Sequence, residues 1–304
     1  MKRVSSPLAA AAVIGVALPS ADALAHGFAG DRFFPATLLT DDPFVADEMS
    51  LPTVTRNPTA SDGTQLTNIG VDFSKRILPD LGVTFHRNWQ YQQSPGAPAV
   101  TGFDSISTGV QYQLFINAPH EAMALAGLSV NWGHTGRVQA LGSPDFTTLS
   151  PTLDWGKGLG DLPESLPFIR PFAITGNLSV DFPTKVNSNG TLHSNNFNYG
   201  IAVEYSLEYL QHHVRDIGLG KPFDRLIPLV ELSMTTPLNR GAGGLTTGTV
   251  QPGFIWAGQY FQIGAEAIIP VNSLSGKGIG GIVQFHLFID DLFPKSIGKP
   301  IFSY

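Results

Sequence analysis

Cysteine is absent from the 304 residues, and charge is scarce, with Asp, Glu, Lys and Arg at only 14% of positions. The first absence excludes disulfides, thiolate metal sites and cysteine nucleophiles, and fits an oxidising compartment in which none of these is used. The second is unusual, because globular chains carry about 25% charged residues. Apolar runs of the roughly 18 residues that a spanning helix needs are missing beyond the extreme N-terminus, which excludes helical membrane spans. Basic runs are missing too, and the net charge is −6, so nucleic acid is not an expected partner. No HExxH, Walker-type glycine loop, CxxC or G-x-S-x-G occurs. Little charge without spanning helices points to a chain whose outer surface meets lipid through strands.

What is present is alternation. Phe261, Ile263, Ala265, Ala267 and Ile269 share one parity against Gln262, Gly264 and Glu266, and after the polar turn 272–278 Val283, Phe285, Leu287 and Ile289 oppose Gln284, His286 and Asp290. Successive strand side chains point to opposite faces, so each segment has one apolar and one polar face. The unit recurs from Met49 onward and gives twelve segments of about ten residues, long enough to cross a bilayer when tilted. An even number of strands suits a barrel with both termini on one side. Trp89, Tyr91, Trp132, Trp155, Tyr209 and Trp256 fall near the ends of the apolar rows, where interfacial girdles want aromatics. The expected fold is all-β, an antiparallel up-and-down transmembrane β-barrel, with a secreted sandwich as the alternative. Pro151, Pro171, Pro228 and Pro252 fall within strand patterns, where each removes a ladder hydrogen bond. Leu149–Trp155 and Val250–Trp256 share the form apolar-x-Pro-x-apolar-x-Trp.

Residues 1–25 read as a secretory signal: Lys2 and Arg3, an apolar core from Leu8 to Leu18, and the small-residue site Ala23-Leu24-Ala25. Its removal takes the net charge from −6 to −7 and leaves His26 first. Residues 26–48 are irregular and read as a lead-in or plug, 49–293 as the barrel, and 294–304 as a periplasmic extension. The connections 158–166 and 211–224 are long for periplasmic turns.

The segments Ile69–Phe73, Asp80–Val83 and Gln284–Pro294 resemble proteins described loosely as outer-membrane transporters, similar to the MetA-pathway phenol-degradation barrel family. The resemblance implies an outer-membrane barrel and passage of hydrophobic or aromatic compounds, and it brings no catalytic residues. Here Pro294–Tyr304 continues past Phe293, whereas many such barrels end on a C-terminal aromatic.

Glu204, Glu208, Glu231, Glu266 and His286 take lumen parity, with Arg225 the one clear basic residue on those rows. Two readings stand: an acidic lining that favours cations or polar solutes, or carboxylates paired with Arg225 and loop lysines inside a necessarily polar lumen. His26 could chelate copper only with a second histidine nearby, and His212-His213 reads as a solvated pair. No metal or other cofactor is expected. The expected protein is therefore a non-enzymatic cell outer-membrane channel for small solutes, in contact with lipid and the barrel-assembly machinery. Its alternatives are a structural or adhesive barrel and a barrel-embedded esterase.

Overall fold

The alternating segments form the strands expected of them. The computed structural model describes residues 27–137, 141–188, 190–240 and 243–303. The signal region and His26 lie outside the described residues. Twelve strands run in chain order: β1 (Glu48–Arg56), β2 (Gln65–Leu78), β3 (Leu81–Gln93), β4 (Ser107–Asn117), β5 (Ala122–Asn131), β6 (Thr148–Gly158), β7 (Phe172–Pro183), β8 (Asn196–Tyr205), β9 (Leu226–Pro237), β10 (Thr247–Ala257), β11 (Phe261–Pro270) and β12 (Gly280–Phe288). Each pairs antiparallel with the next, and β12 pairs with β1, Gly281 opposite Arg56 and Phe288 opposite Glu48. The twelve strands close into a barrel, and a short strand, Val100–Phe103, pairs with the end of β3 alone. Among the described residues no helix is long and apolar enough to cross a membrane.

The apolar rows face outward. Val110, Tyr112, Leu128, Leu153, Ile201, Val230, Phe254 and Val283 are all exposed on the outer wall, while Gln251, Gln262, Glu231 and His286 are buried inside. That arrangement inverts a water-soluble sandwich. Trp155 lies across Gly176 of β7, where any β-carbon would strike its ring. The Trp256 indole donates to the Pro222 carbonyl at 2.9 Å.

Two of the four prolines sit where the ladder is interrupted. Between β6 and β7 the pairing jumps from Thr152 opposite Ser179 to Leu149 opposite Phe182, skipping Pro151. Between β10 and β11 it jumps from Gly253 opposite Glu266 to Val250 opposite Ile269, skipping Pro252. The shared apolar-x-Pro-x-apolar-x-Trp pattern therefore marks two equivalent gaps, because proline has no N–H to donate. Pro228 stays in register opposite Phe254, whereas Pro171 precedes β7 and is not a strand residue.

Two strand ends differ from the pattern. The eighth strand stops at Tyr205, because the Ser206 hydroxyl accepts the Tyr209 N–H at 3.1 Å and caps a helical turn. Glu208 thus lies in a helix past the strand, not on a lumen row, and Tyr209 is buried at the barrel base instead of joining a girdle. Arg225 sits in the helical turn Phe223–Arg225 that precedes β9. The last strand ends at Phe288, and Ile289–Leu292 turn into a helix. Residues 294–303 fold back on β2, with Ile301 and Phe302 N–H groups bonded to the Arg76 and Ile77 carbonyls.

Candidate functional site

The lumen is occupied by the chain's own residues 27–47. This segment begins with a two-residue hairpin, Phe28–Ala29 against Arg32–Phe33, turned by Gly30 at φ +62°, where a β-carbon would meet the Ala118 carbonyl. Polar anchors at three levels and two apolar clusters then fix it to the wall.

At the turn end, Arg32 is fully buried. Its Nε donates to Glu121 at 3.1 Å, Nη1 to the Pro171 carbonyl at 2.9 Å and Nη2 to the Arg170 carbonyl, and its guanidinium lies 3.7 Å over the Tyr209 ring. Glu121 is satisfied in turn by the Tyr209 hydroxyl at 2.9 Å and the Gly160 N–H at 2.8 Å. The two unusually long turn-end connections, 159–171 and 206–225, supply Gly160, Arg170, Pro171 and Tyr209, so they close over the segment's start.

At mid-lumen, Glu231 accepts three successive backbone N–H groups: Leu38 at 2.7 Å, Leu39 at 3.2 Å and Thr40 at 2.6 Å. Consecutive amides aimed at one carboxylate form an anion cradle. The Gln262 side chain holds the Ala36 carbonyl, and Asn177 donates to Asp41 at 3.0 Å. Where the segment enters β1, buried Asp47 takes Arg76 Nε and Nη2 at 3.1 Å each and Lys75 Nζ at 2.9 Å.

Apolar contacts fill the gaps. Leu38 packs on Ile227, Leu229, Ile255, Ile268 and Ile282, all inside the barrel. Phe34 and Phe44 pack with Met123 and Ala173. Loss of bulk solvent pushes the Asp42 carboxyl well above the ordinary carboxylate range, as does nearby Glu48, against the lowering effect of the Thr37 N–H.

Of the six residues singled out from sequence, the structure gathers Glu204, Glu231 and Glu266 on neighbouring lumen positions of β8, β9 and β11, all buried. Glu208 and Arg225 are not with them. His286 is lumenal but lies across the closing seam, where its Nδ1 meets the Ser50 hydroxyl at 2.8 Å and its Nε2 faces Glu48 at 3.2 Å. Serine, histidine and a carboxylate within reach are what a nucleophilic hydrolase requires in outline. Here the trio joins β12 to β1 from inside, beside the ladder gap at Leu51-Pro52. His212 and His213 are exposed on the helical segment Leu210–Val214, with the His213 ring 4.7 Å from Tyr209.

Sequence reasoning missed Arg32, Asp47, Arg76 and Glu121. For Arg32 and Asp47 the available signal was rarity, since in a chain this poor in charge ions within an irregular aromatic stretch need partners; Arg76, on a strand, and Glu121, in a turn, carried no such signal.

No family model matches the chain, and no curated protein does. Among solved structures, an outer membrane channel from Pseudomonas putida F1 is similar in fold, with TM-score 0.54 and 11% identity over 84% of this chain and 99% of that one. The NanC porin aligns with TM-score 0.48 and 8% identity over 78% of this chain and 98% of that one.

Proposed function

We propose that this protein is an outer-membrane channel for small solutes, held closed by residues 27–47. Closure of the sheet supports the membrane setting, because lipid offers no partner to an open edge. So do the outward apolar rows and the inward polar ones. The likeness in fold to a known outer-membrane channel agrees with this reading. Export would use the signal at 1–25, and insertion the barrel-assembly machinery.

The observation that carries the gating is the cradle on Glu231: three backbone amides from the segment are bound to the wall in mid-lumen, where a solute would pass. Once the segment withdraws, the lumen presents Glu204, Glu231 and Glu266, together with Glu48, Asp72 and Asp154. A narrow lumen with low-dielectric walls focuses their field, favouring cations and neutral solutes over anions. A second reading, passage of hydrophobic or aromatic compounds, is favoured by Ile227, Leu229, Ile255, Ile268 and Ile282, an apolar strip that Leu38 now covers.

Planar-bilayer recording tests the gate. Removing residues 27–46 should raise single-channel conductance several-fold and reveal a cation-leaning reversal potential in a salt gradient. Equal conductance with and without the segment contradicts the reading.

A further inference from the structure

Beside the seated segment the lumen keeps a cavity of about 420 Å³, bounded by residues 36–42, Phe44 and strands β1 to β6 and β12. Its volume falls in the range of small-molecule sites, roughly 300–1,000 Å³. Its chemistry is one-sided: Asp41, Asp42, Glu48, Asp72 and Asp154 line it with His86 and His286, and no lysine or arginine does. Both histidines are already engaged, His86 Nδ1 with Asp72 at 2.5 Å and His286 with Ser50 and Glu48. Among the described residues no ion pair reaches Asp41, Asp42 or Asp154; Asp41 holds only the Asn177 amide and Asp42 only Thr37.

Independently, three of the cavity's acceptors have no hydrogen-bond partner: Asp154 Oδ1, Gln284 Oε1 and Thr40 Oγ1. Their residues are only 1%, 6% and 3% exposed. Buried acceptors without donors are costly, and an unpaired buried carboxylate more so. The set lacks a donor, and beside five carboxyls with no lysine or arginine a positively charged donor fits it. No three of the described carboxylates and imidazoles are placed to hold one metal ion. An alkylammonium group, with three donors and no acceptor, matches the set.

We propose that this cavity binds a small organic ammonium ion, with Asp154 and Asp41 as its principal partners. The proposal rests on the preceding one only in that residues 27–47 occupy the lumen. It assigns a binding site that exists in the closed barrel and deepens the cation preference into a substrate class.

Isothermal titration of the full chain in detergent tests it, with 1,4-diaminobutane as the probe, butane-1,4-diol as its neutral isostere and succinate as the anion. The diamine should bind saturably at one site per barrel, and the other two should not. Asp154→Asn and Asp41→Asn should each weaken the diamine at least tenfold, while Asp62→Asn, an exposed loop carboxyl away from the cavity, should leave it unchanged. Heat-modifiable gel mobility reports whether each variant is assembled. Asp41 lies on the segment and not in the wall, so Asp41→Asn decides the matter if Asp154→Asn does not assemble. Lack of saturable diamine binding overturns the site. So does equal binding of the diol, or wild-type affinity in the assembled aspartate variants. The assay needs no conduction: failure to bind beside a pore that opens on deletion overturns this site alone, and binding beside an unaltered pore overturns the gate alone.

Discussion

Arg32→Ala should release the lumenal segment while leaving the barrel closed. The guanidinium is fully buried, and its loss strands Glu121 as a buried carboxylate whose remaining donors are the Tyr209 hydroxyl and the Gly160 N–H. Breaking such a pair by removing one partner costs about 3–5 kcal/mol. The cost falls on the seated state, because Arg32 belongs to no barrel strand. About 3 kcal/mol corresponds to a shift of at least roughly 100-fold in the seated-to-released ratio. Hydrogen exchange reads it directly: the Leu38, Leu39 and Thr40 amides, now bound by Glu231, should exchange faster by about that factor, with β-strand amides unchanged. Arg32→Met combined with Glu121→Gln removes both charges, leaves an acceptor at residue 121 where Tyr209 and Gly160 donate, and should restore most of the protection, since replacing a buried ion pair by uncharged groups is often close to neutral. Unchanged protection of residues 38–40 in Arg32→Ala would show that this anchor does not hold the segment.

Ile201→Arg should cost about 2–4 kcal/mol, the scale for a cation placed at the bilayer midplane. Ile201 is at the middle of β8, points outward and is 41% exposed on the lipid-facing wall. Gln90→Arg is the matched control. Gln90 lines a loop-end cavity of about 710 Å³, where an added guanidinium stays in water, and its cost should be about 0.5 kcal/mol or less. Urea titrations of both variants refolded into lipid vesicles measure the difference. Equal costs would mean that the wall is wetted on both sides or that its faces are reversed. Ser206, although at lumen parity, is unsuited to this control because its hydroxyl caps the helix after β8.

The strand number, the hairpin order and the facing of each row were legible because period-two alternation is local and lipid demands it of every strand. Strand ends were less legible. Leu207 and Tyr209 keep period with Val203 and Tyr205, so the pattern runs on past the point where Ser206 turns the chain, and it carried Glu208 with it. The contents of the lumen left a fainter trace. Leu229-Val230, Ile268-Ile269 and Ile282-Val283 are apolar on both faces, which a water-filled lumen would not require. Their inner members are the residues that Leu38 covers, so a break in alternation marked the contact without naming its partner. The anchors themselves were out of reach of local pattern: Arg32 and Glu121 are 89 positions apart, and Leu38 and Glu231 are 193.

The central claim is that conduction depends on the segment leaving the lumen, and a reversible tether tests it most directly. The chain has no cysteine of its own, and the Leu38 Cγ lies 3.2 Å from where a β-carbon on Gly264 would stand. Leu38→Cys with Gly264→Cys therefore places two thiols within disulfide reach, about 3.5–4.5 Å between β-carbons. Single-channel recording of this double variant, with the cross-link verified by mass, should show a closed barrel when oxidised and opening events after dithiothreitol. An oxidised, fully cross-linked barrel that conducts as well as the reduced one would contradict the account.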